Sequence, residues 1–224
     1  MIRVHHLNNS RSQRILWLLE ELGLPYEVVR YQRDAKTLLA PPELRAVHPL
    51  GKSPVITDGD ITVAESGAII EYLIDCYGQG RLQPAAGTAE RRRYTYWLHF
   101  AEGSAMPPLL MKLVFSFLPK SPALPALLRP LVRKISQGVQ KSFIDPQITQ
   151  HLDYLEAELS RSAWFAGDDF TAADVQMSFP IEAAAARGGL DAKWPAVSAF
   201  LQKIQARPAY QKALVQGGPY QLMS

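Results

Sequence analysis

The stretch HPLGKSPVITDGDITVAESGAIIEYL, from His48 to Leu73, narrows the fold more than any other part of the chain. A Gly51-Lys52-Ser53-Pro54 turn leads into the β-branched run Val55-Ile56-Thr57. An Asp58-Gly59-Asp60 turn then leads into Ile61-Thr62-Val63, and Glu65-Ser66 opens an amphipathic helix. Two short β-branched runs joined by a Gly/Asp turn read as a hairpin. The first amides of a helix have no partner inside it and lie at the positive end of its dipole. The Glu65-Ser66 junction therefore offers a carboxylate its amides, and an acidic side chain stands beside them. That is a site for a small zwitterion rather than a purely structural joint.

Upstream of the hairpin, strand and helix alternate. Ile2 to Leu7 reads as a strand, and Ser10 to Leu22 as a helix with Ile15, Leu18, Leu19 and Leu22 on one face and Gly23 as its stop. Tyr26 to Tyr31 is β-rich, a short helix lies around Glu43 to Val47, and the helix from Ser66 runs to about Tyr77. The order βαβαββα predicts an α/β layer on a mixed sheet. The Gly- and Pro-rich segment GQGRLQPAAG divides the chain into residues 1–79, a linker at 80–87 and a region from 88 to 224. Beyond it β signals vanish. Ile148, Leu152, Leu155 and Leu159 form one helical stripe, and Val197, Phe200, Leu201 and Ile204 another, so the second region is expected to be all-α. Between Pro119 and Pro130, four prolines interrupt a Leu-rich run. In Phe170-Thr171-Ala172-Ala173-Asp174-Val175, Thr171 and Asp174 stand at the spacing of a capping box, with Phe170 and Val175 placed as a hydrophobic staple.

Composition excludes several classes. At 224 residues, 47% apolar and 20% charged, the chain is an ordinary globular one. A formal charge of +3 without a basic stripe argues against nucleic acid. The single cysteine, Cys76, excludes an internal disulfide and is expected to pack against the core. His5 and His6 sit inside a strand without further ligands at metal spacing and read as packing residues. No apolar run reaches spanning length; the longest candidate, Met106 to Leu118, holds two prolines and Lys112. The N-terminal MIRVHHLNNS lacks an apolar core, and a cytoplasmic protein is expected.

These motifs, in this order, resemble a soluble glutathione S-transferase over nearly the full length. In the first half the resemblance rests on His48-Pro49-Leu50-Gly51-Lys52-Ser53-Pro54 and Ala64-Glu65-Ser66-Gly67-Ala68-Ile69. In the second it rests on Trp164-Phe165-Ala166-Gly167-Asp168-Asp169-Phe170-Thr171-Ala172-Ala173-Asp174, with Trp194-Pro195 and Ala206-Arg207-Pro208-Ala209-Tyr210. The stretch SRSQRILWLLEELGLPYEV and Ala40-Pro41-Pro42-Glu43-Leu44 are similar to one fungal and bacterial branch. The resemblance implies a thioredoxin-like N-terminal domain, an all-helical C-terminal domain, glutathione as co-substrate with no permanently bound cofactor and no metal, and a homodimer. It also implies roles. Pro54 would follow a cis bond, and the main chain of Ser53 would pair with the cysteinyl backbone of glutathione as an added strand does. Ser66 and the helix amides would take the γ-glutamyl carboxylate, with Glu65 near its ammonium, and Lys52 would reach the glycyl carboxylate.

A transferase must stabilise a thiolate, because a free thiol with a pKa of about 8.5 is mostly protonated at neutral pH. The loop Leu7-Asn8-Asn9-Ser10-Arg11-Ser12 joins the first strand to the first helix, but holds no tyrosine and no cysteine. Ser10 is the first candidate donor to sulfur, Asn9 the second and Ser12 the third, with Arg11 a source of positive potential or a solvent-facing residue. Ser10 also fits a plain helix cap. Tyr94, Trp97, Phe100, Met106 and Met111 are candidates to line the cleft for a small hydrophobic electrophile or peroxide. The apolar residues of 107–139 fit a lid, a dimer contact or a membrane surface. Three activities stay open: conjugation, glutathione-dependent peroxide or disulfide reduction, and non-catalytic glutathione binding by a regulatory protein of the same fold.

Overall fold

Four strands form one sheet in the order β2-β1-β3-β4. They are β1 (Ile2–Leu7), β2 (Tyr26–Tyr31), β3 (Val55–Asp58) and β4 (Ile61–Ala64). The computed structural model describes residues 1–34, 37 and 39–222, so the last two residues of the second region lie outside it. β1 pairs parallel with β2, Ile2 opposite Tyr26, and antiparallel with β3, His5 opposite Val55. The β3–β4 hairpin turns at Gly59, whose φ of +58° suits a residue without Cβ. The helices of this half are α1 (Ser12–Leu22), α2 (Leu44–Val47) and α3 (Ser66–Tyr77). This is the thioredoxin-like βαβαββα order that the sequence predicts.

α1 begins two residues later than expected, because the Ser10 carbonyl accepts from the Gln13 N–H at 3.2 Å and its hydroxyl from the Ser12 N–H at 3.2 Å, closing a turn first. It ends at Gly23, where φ is +67° and the following Leu24 N–H returns to the Leu19 carbonyl at 3.0 Å. Residues 12 to 19 of α1 are all buried, more than one amphipathic stripe would bury. The reason is that α1 lies between the sheet and the helices of the second half.

That second half is all-helical: α4 (Ala89–Phe100), α5 (Met106–Phe117), α6 (Arg129–Val139), α7 (Asp145–Leu159), α8 (Ala172–Ala183), α9 (Pro195–Gln205) and α10 (Pro208–Gly217). The Leu-rich 107–139 segment is not a loop but most of α5 and α6, with two short 3-10 turns between them. α8 is buried along its whole length. Its capping box forms: the Asp174 carboxylate accepts from the Thr171 N–H at 2.8 Å and also from the Phe165 N–H at 2.9 Å. Phe170 packs on Trp17 and Trp164, with centroids 5.7 and 4.9 Å away.

Four of the residues expected to line an electrophile cleft belong to this core instead. Tyr94, Trp97, Phe100 and Met106 are all buried, and Trp97 stacks into a cage with Phe100, Tyr154 and Phe165. Met111 is half-buried against the same cluster. Apolar bulk alone does not say which side of a helix faces a cleft, and here it faces inward. Cys76 is likewise exposed rather than packed. His5 and His6 are buried in the sheet, as expected of packing residues.

Candidate active site

One cleft between the two halves, about 280 Å³, is lined by Arg11, His48, Leu50, Lys52, Ser53, Pro54, Ala64, Glu65, Ser66, Glu102 and Leu110. All five residues expected to hold glutathione meet there, drawn from the loop before β3 and the β4–α3 junction. The Ser53–Pro54 bond is cis. The Ser53 hydroxyl is already committed, accepting from the Leu7 N–H at 3.3 Å and donating to the His5 carbonyl at 2.8 Å. What Ser53 can offer a ligand is therefore its main chain.

Glu65 adopts φ 72°, a left-handed conformation uncommon for a residue with a side chain. Its carbonyl accepts the first α3 bond from the Ile69 N–H at 2.9 Å, yet no side chain caps the helix. The N–H groups of Ser66, Gly67 and Ala68 thus lack intrahelical acceptors. Ser66 is buried at the mouth of this helix, and its hydroxyl takes no protein partner among the described residues. The arrangement suits a carboxylate.

The opposite wall comes from the second half. Pro107 and Pro108 have no N–H to return to the carbonyls before them, and the helix widens ahead of them into a π turn at Ala101–Ala105, where the Met106 N–H reaches back to Ala101. This turn carries Glu102. Arg11 Nε donates to both Glu102 oxygens, at 3.1 and 3.0 Å, and the fully buried Arg14 donates to the same carboxylate. Arg14 also donates to the Gln176 carbonyl at 2.7 Å, and both guanidiniums lie over the Phe179 ring. Burial pushes the Glu102 carboxyl up, but Arg14 and Arg11 outweigh it and hold the group below its ordinary range.

The expected sulfur donors stand elsewhere. Ser10 is buried, its hydroxyl 2.7 Å from that of Ser12, which lies 2.9 Å from His6 Nδ1. Burial, and then Arg30, lower His6 to about 4, so the end of this chain is a neutral imidazole at neutral pH. Asn9, with φ 51°, uses its side-chain oxygen to accept the Gln221 N–H at 2.8 Å. The structure brings neither Ser10, Asn9 nor Ser12 into the cleft lining, and brings Arg11 there in their place. Glu102 and Leu110 escaped the sequence reading, although Glu102 is the last acid before a long acid-free stretch. A larger hollow of about 610 Å³ lies among α8, α9, α10 and residues 220–222. Its buried Glu182, the one acid in the lining, already accepts from Tyr210 and Tyr220 at 2.5 and 2.6 Å.

Residues 1–75 match the family model described as "Glutathione S-transferase, N-terminal domain", and residues 107–208 match "Glutathione S-transferase, C-terminal domain". Glutathione S-transferase 3 of Schizosaccharomyces pombe is 39% identical over 93% of this chain and 85% of its own length. The chain belongs to the glutathione S-transferase family. A second relative of this transferase, Glutathione S-transferase 1 of Saccharomyces cerevisiae, is 33% identical over 94% of this chain and 92% of its own. Among solved structures, a glutathione S-transferase from Actinobacillus pleuropneumoniae superposes with a TM-score of 0.79 at 35% identity, covering 97% of this chain and 93% of that one. Among the described residues of the transferase, no helix is long and apolar enough to cross a membrane.

Proposed function

We propose that this cleft binds glutathione and that the enzyme conjugates its thiolate to small hydrophobic electrophiles. The observation that carries the reading is the convergence of Lys52, the main chain of Ser53, Pro54, Glu65 and Ser66 on one cleft whose helix terminus is uncapped. Ser66 and the α3 amides take the γ-glutamyl carboxylate, Glu65 its ammonium, Lys52 the glycyl carboxylate, and Ser53 the cysteinyl main chain. Leu50 and Leu110, exposed at the cleft, give the second substrate an apolar contact. We place the enzyme in the cytoplasm as a homodimer, the assembly typical of the family, and assign the exposed α6 face of the 107–139 segment to an anionic membrane.

Retention on immobilised glutathione, followed by turnover of chlorodinitrobenzene and of cumene hydroperoxide with glutathione, tests the reading. Expected are retention that Ser66→Ala weakens at least tenfold and turnover of the aryl chloride. Turnover of the hydroperoxide alone assigns the site to peroxide reduction. Retention without turnover of either makes the chain a binding protein, and no retention overturns the site.

A further inference from the structure

The donor to the sulfur is missing from the site as described so far. If glutathione lies with its γ-glutamyl end on α3 and its main chain along Ser53, its cysteinyl side chain has only the rest of the same small cleft to enter. The polar groups left there are Arg11, Glu102 and the half-buried His48, since Lys52 is engaged with the glycyl carboxylate. Arg11 is the one that combines permanent charge with free donors. Its Nε serves Glu102, while its terminal nitrogens have no protein hydrogen-bond partner among the described residues. Its side chain is 33% exposed, so it remains open to the cleft.

The surroundings amplify that charge. Arg14 shares the Glu102 carboxylate, and the fields of Arg33 and Arg187 reach Arg11 as well. Burial chiefly, with the field of Arg11 the smaller cause, holds both of those guanidiniums below their usual range. Of these four guanidiniums, Arg11 is the one that lines the cleft. Two acids line the cleft: Glu102 pairs with Arg11 and Arg14, and Glu65 is taken by the glutathione ammonium in the reading above, while Glu182, which also feels Arg14, lies off the lining. Two guanidiniums on one carboxylate leave the Arg11 end of the pair open to a further anion.

We infer that Arg11 is the catalytic residue that holds the glutathione thiolate, and that Glu102 is its positioning residue. The inference rests on the glutathione reading above. The thiol releases its proton to solvent. A sulfur lone pair then forms the new carbon–sulfur bond, and the leaving group, chloride in the case of chlorodinitrobenzene, departs with its bonding pair. Arg11 stays protonated throughout, contributing hydrogen bonds and field rather than a proton. Glu102 fixes the guanidinium through Nε and so leaves the outer nitrogens for sulfur.

The test is the ionisation of bound glutathione, followed by ultraviolet thiolate absorbance against pH in saturated protein. An opposite charge at hydrogen-bond range lowers an acid by about 1–3 units, so the bound thiol is expected well below its free value of about 8.5. Arg11→Met is expected to raise it by at least about one unit, and Arg11→Lys to retain part of the effect. Glu102→Gln removes a negative charge, so the thiol should ionise as readily as before or more so, while kcat falls because Arg11 is no longer fixed. A merely structural Arg11–Glu102 clamp makes the opposite forecast: both substitutions loosen the fold alike, and neither moves the thiol. That outcome, or a rise with Ser10→Ala and none with Arg11→Met, overturns the assignment. Melting curves identify a variant that fails to fold, in which case Arg11→Lys decides. Loss of glutathione binding in the unsubstituted protein would instead overturn the parent reading, and this one with it.

Discussion

Glu65 shows how much a single residue can reveal. Its φ of 72° with ψ of 127° carries a steric cost that glycine would lessen, yet a glutamate stands there, at the mouth of an uncapped helix. A strained residue kept in place of a relaxed one points to a side chain that is needed. Glu65→Gly separates the two contributions. Relief of the left-handed conformation offsets the chain entropy of glycine, so urea unfolding should stay within about 1 kcal/mol of the parent. Retention on immobilised glutathione should fall at least tenfold, because the ammonium loses its counter-charge. A variant that binds as well as the parent would remove Glu65 from the site. The helix start at Glu65 and Ser66 was legible in the chain because its signal is local: a hairpin, then an acid and a serine before a helical run. The pairing of Arg11 with Glu102 was not, since the two stand 91 positions apart. Ser10 misled for a related reason. A serine before a helix looks the same whether its hydroxyl faces a cleft or, as here, closes a buried chain to Ser12 and His6.

At the scale of elements, the α8 cap was legible in full, whereas the direction in which α4 and α5 face was not. A capping box is set by three or four neighbouring residues. Which side of α4 meets the core depends on α7 and α8 arriving from far along the chain, and that is why Trp97 and Phe100 were assigned to the wrong surface. The cap also carries a pH signature. Burial pushes Asp174 up to about 6, although hydrogen bonds from Phe165, Thr171 and the backbone pull the other way. The ordinary value is 3.8, so the folded state holds this proton more tightly than the unfolded chain does. The stability it contributes is complete below about pH 3.8, and is lost as pH rises through about 6. Asp174→Asn cannot titrate. Unfolding free energies of the parent, minus those of this variant, should therefore decline between pH 4 and 6 and level off above. A difference that stays flat or climbs across that interval would show the carboxylate to be charged in the folded state well below pH 6.

Charge is sorted across the whole molecule in a way that its modest net value of +3 conceals. Residues 103–144 hold six of the 24 Lys and Arg residues and none of the 21 acids, so the remainder of the chain is acidic by three. The same segment exposes apolar side chains: Leu131 and Ile135 line one side of α6 at 58 and 54%, and Leu127 and Leu128 just before it are 91 and 46% exposed. Arg129, Arg133 and Lys134 stand on the same helix, while Lys112 is tied to Asp145. A second copy fits this face poorly, since a two-fold contact would set identical cations against one another. An anionic bilayer accepts both features: leucines enter the headgroup region and cations lie over the phosphates, at about 1 kcal/mol per basic residue. The enzyme should therefore sediment with vesicles of phosphatidylserine in phosphatidylcholine at low salt and leave them as screening rises. It should ignore phosphatidylcholine alone. Arg133→Glu with Lys134→Glu should abolish sedimentation, and Leu131→Ser should weaken it at every salt concentration, with turnover of soluble electrophiles retained because none of the three lines the cleft. Equal binding to neutral vesicles would leave the leucines as the whole attraction. No binding to either kind would return the face to a protein partner of opposite charge.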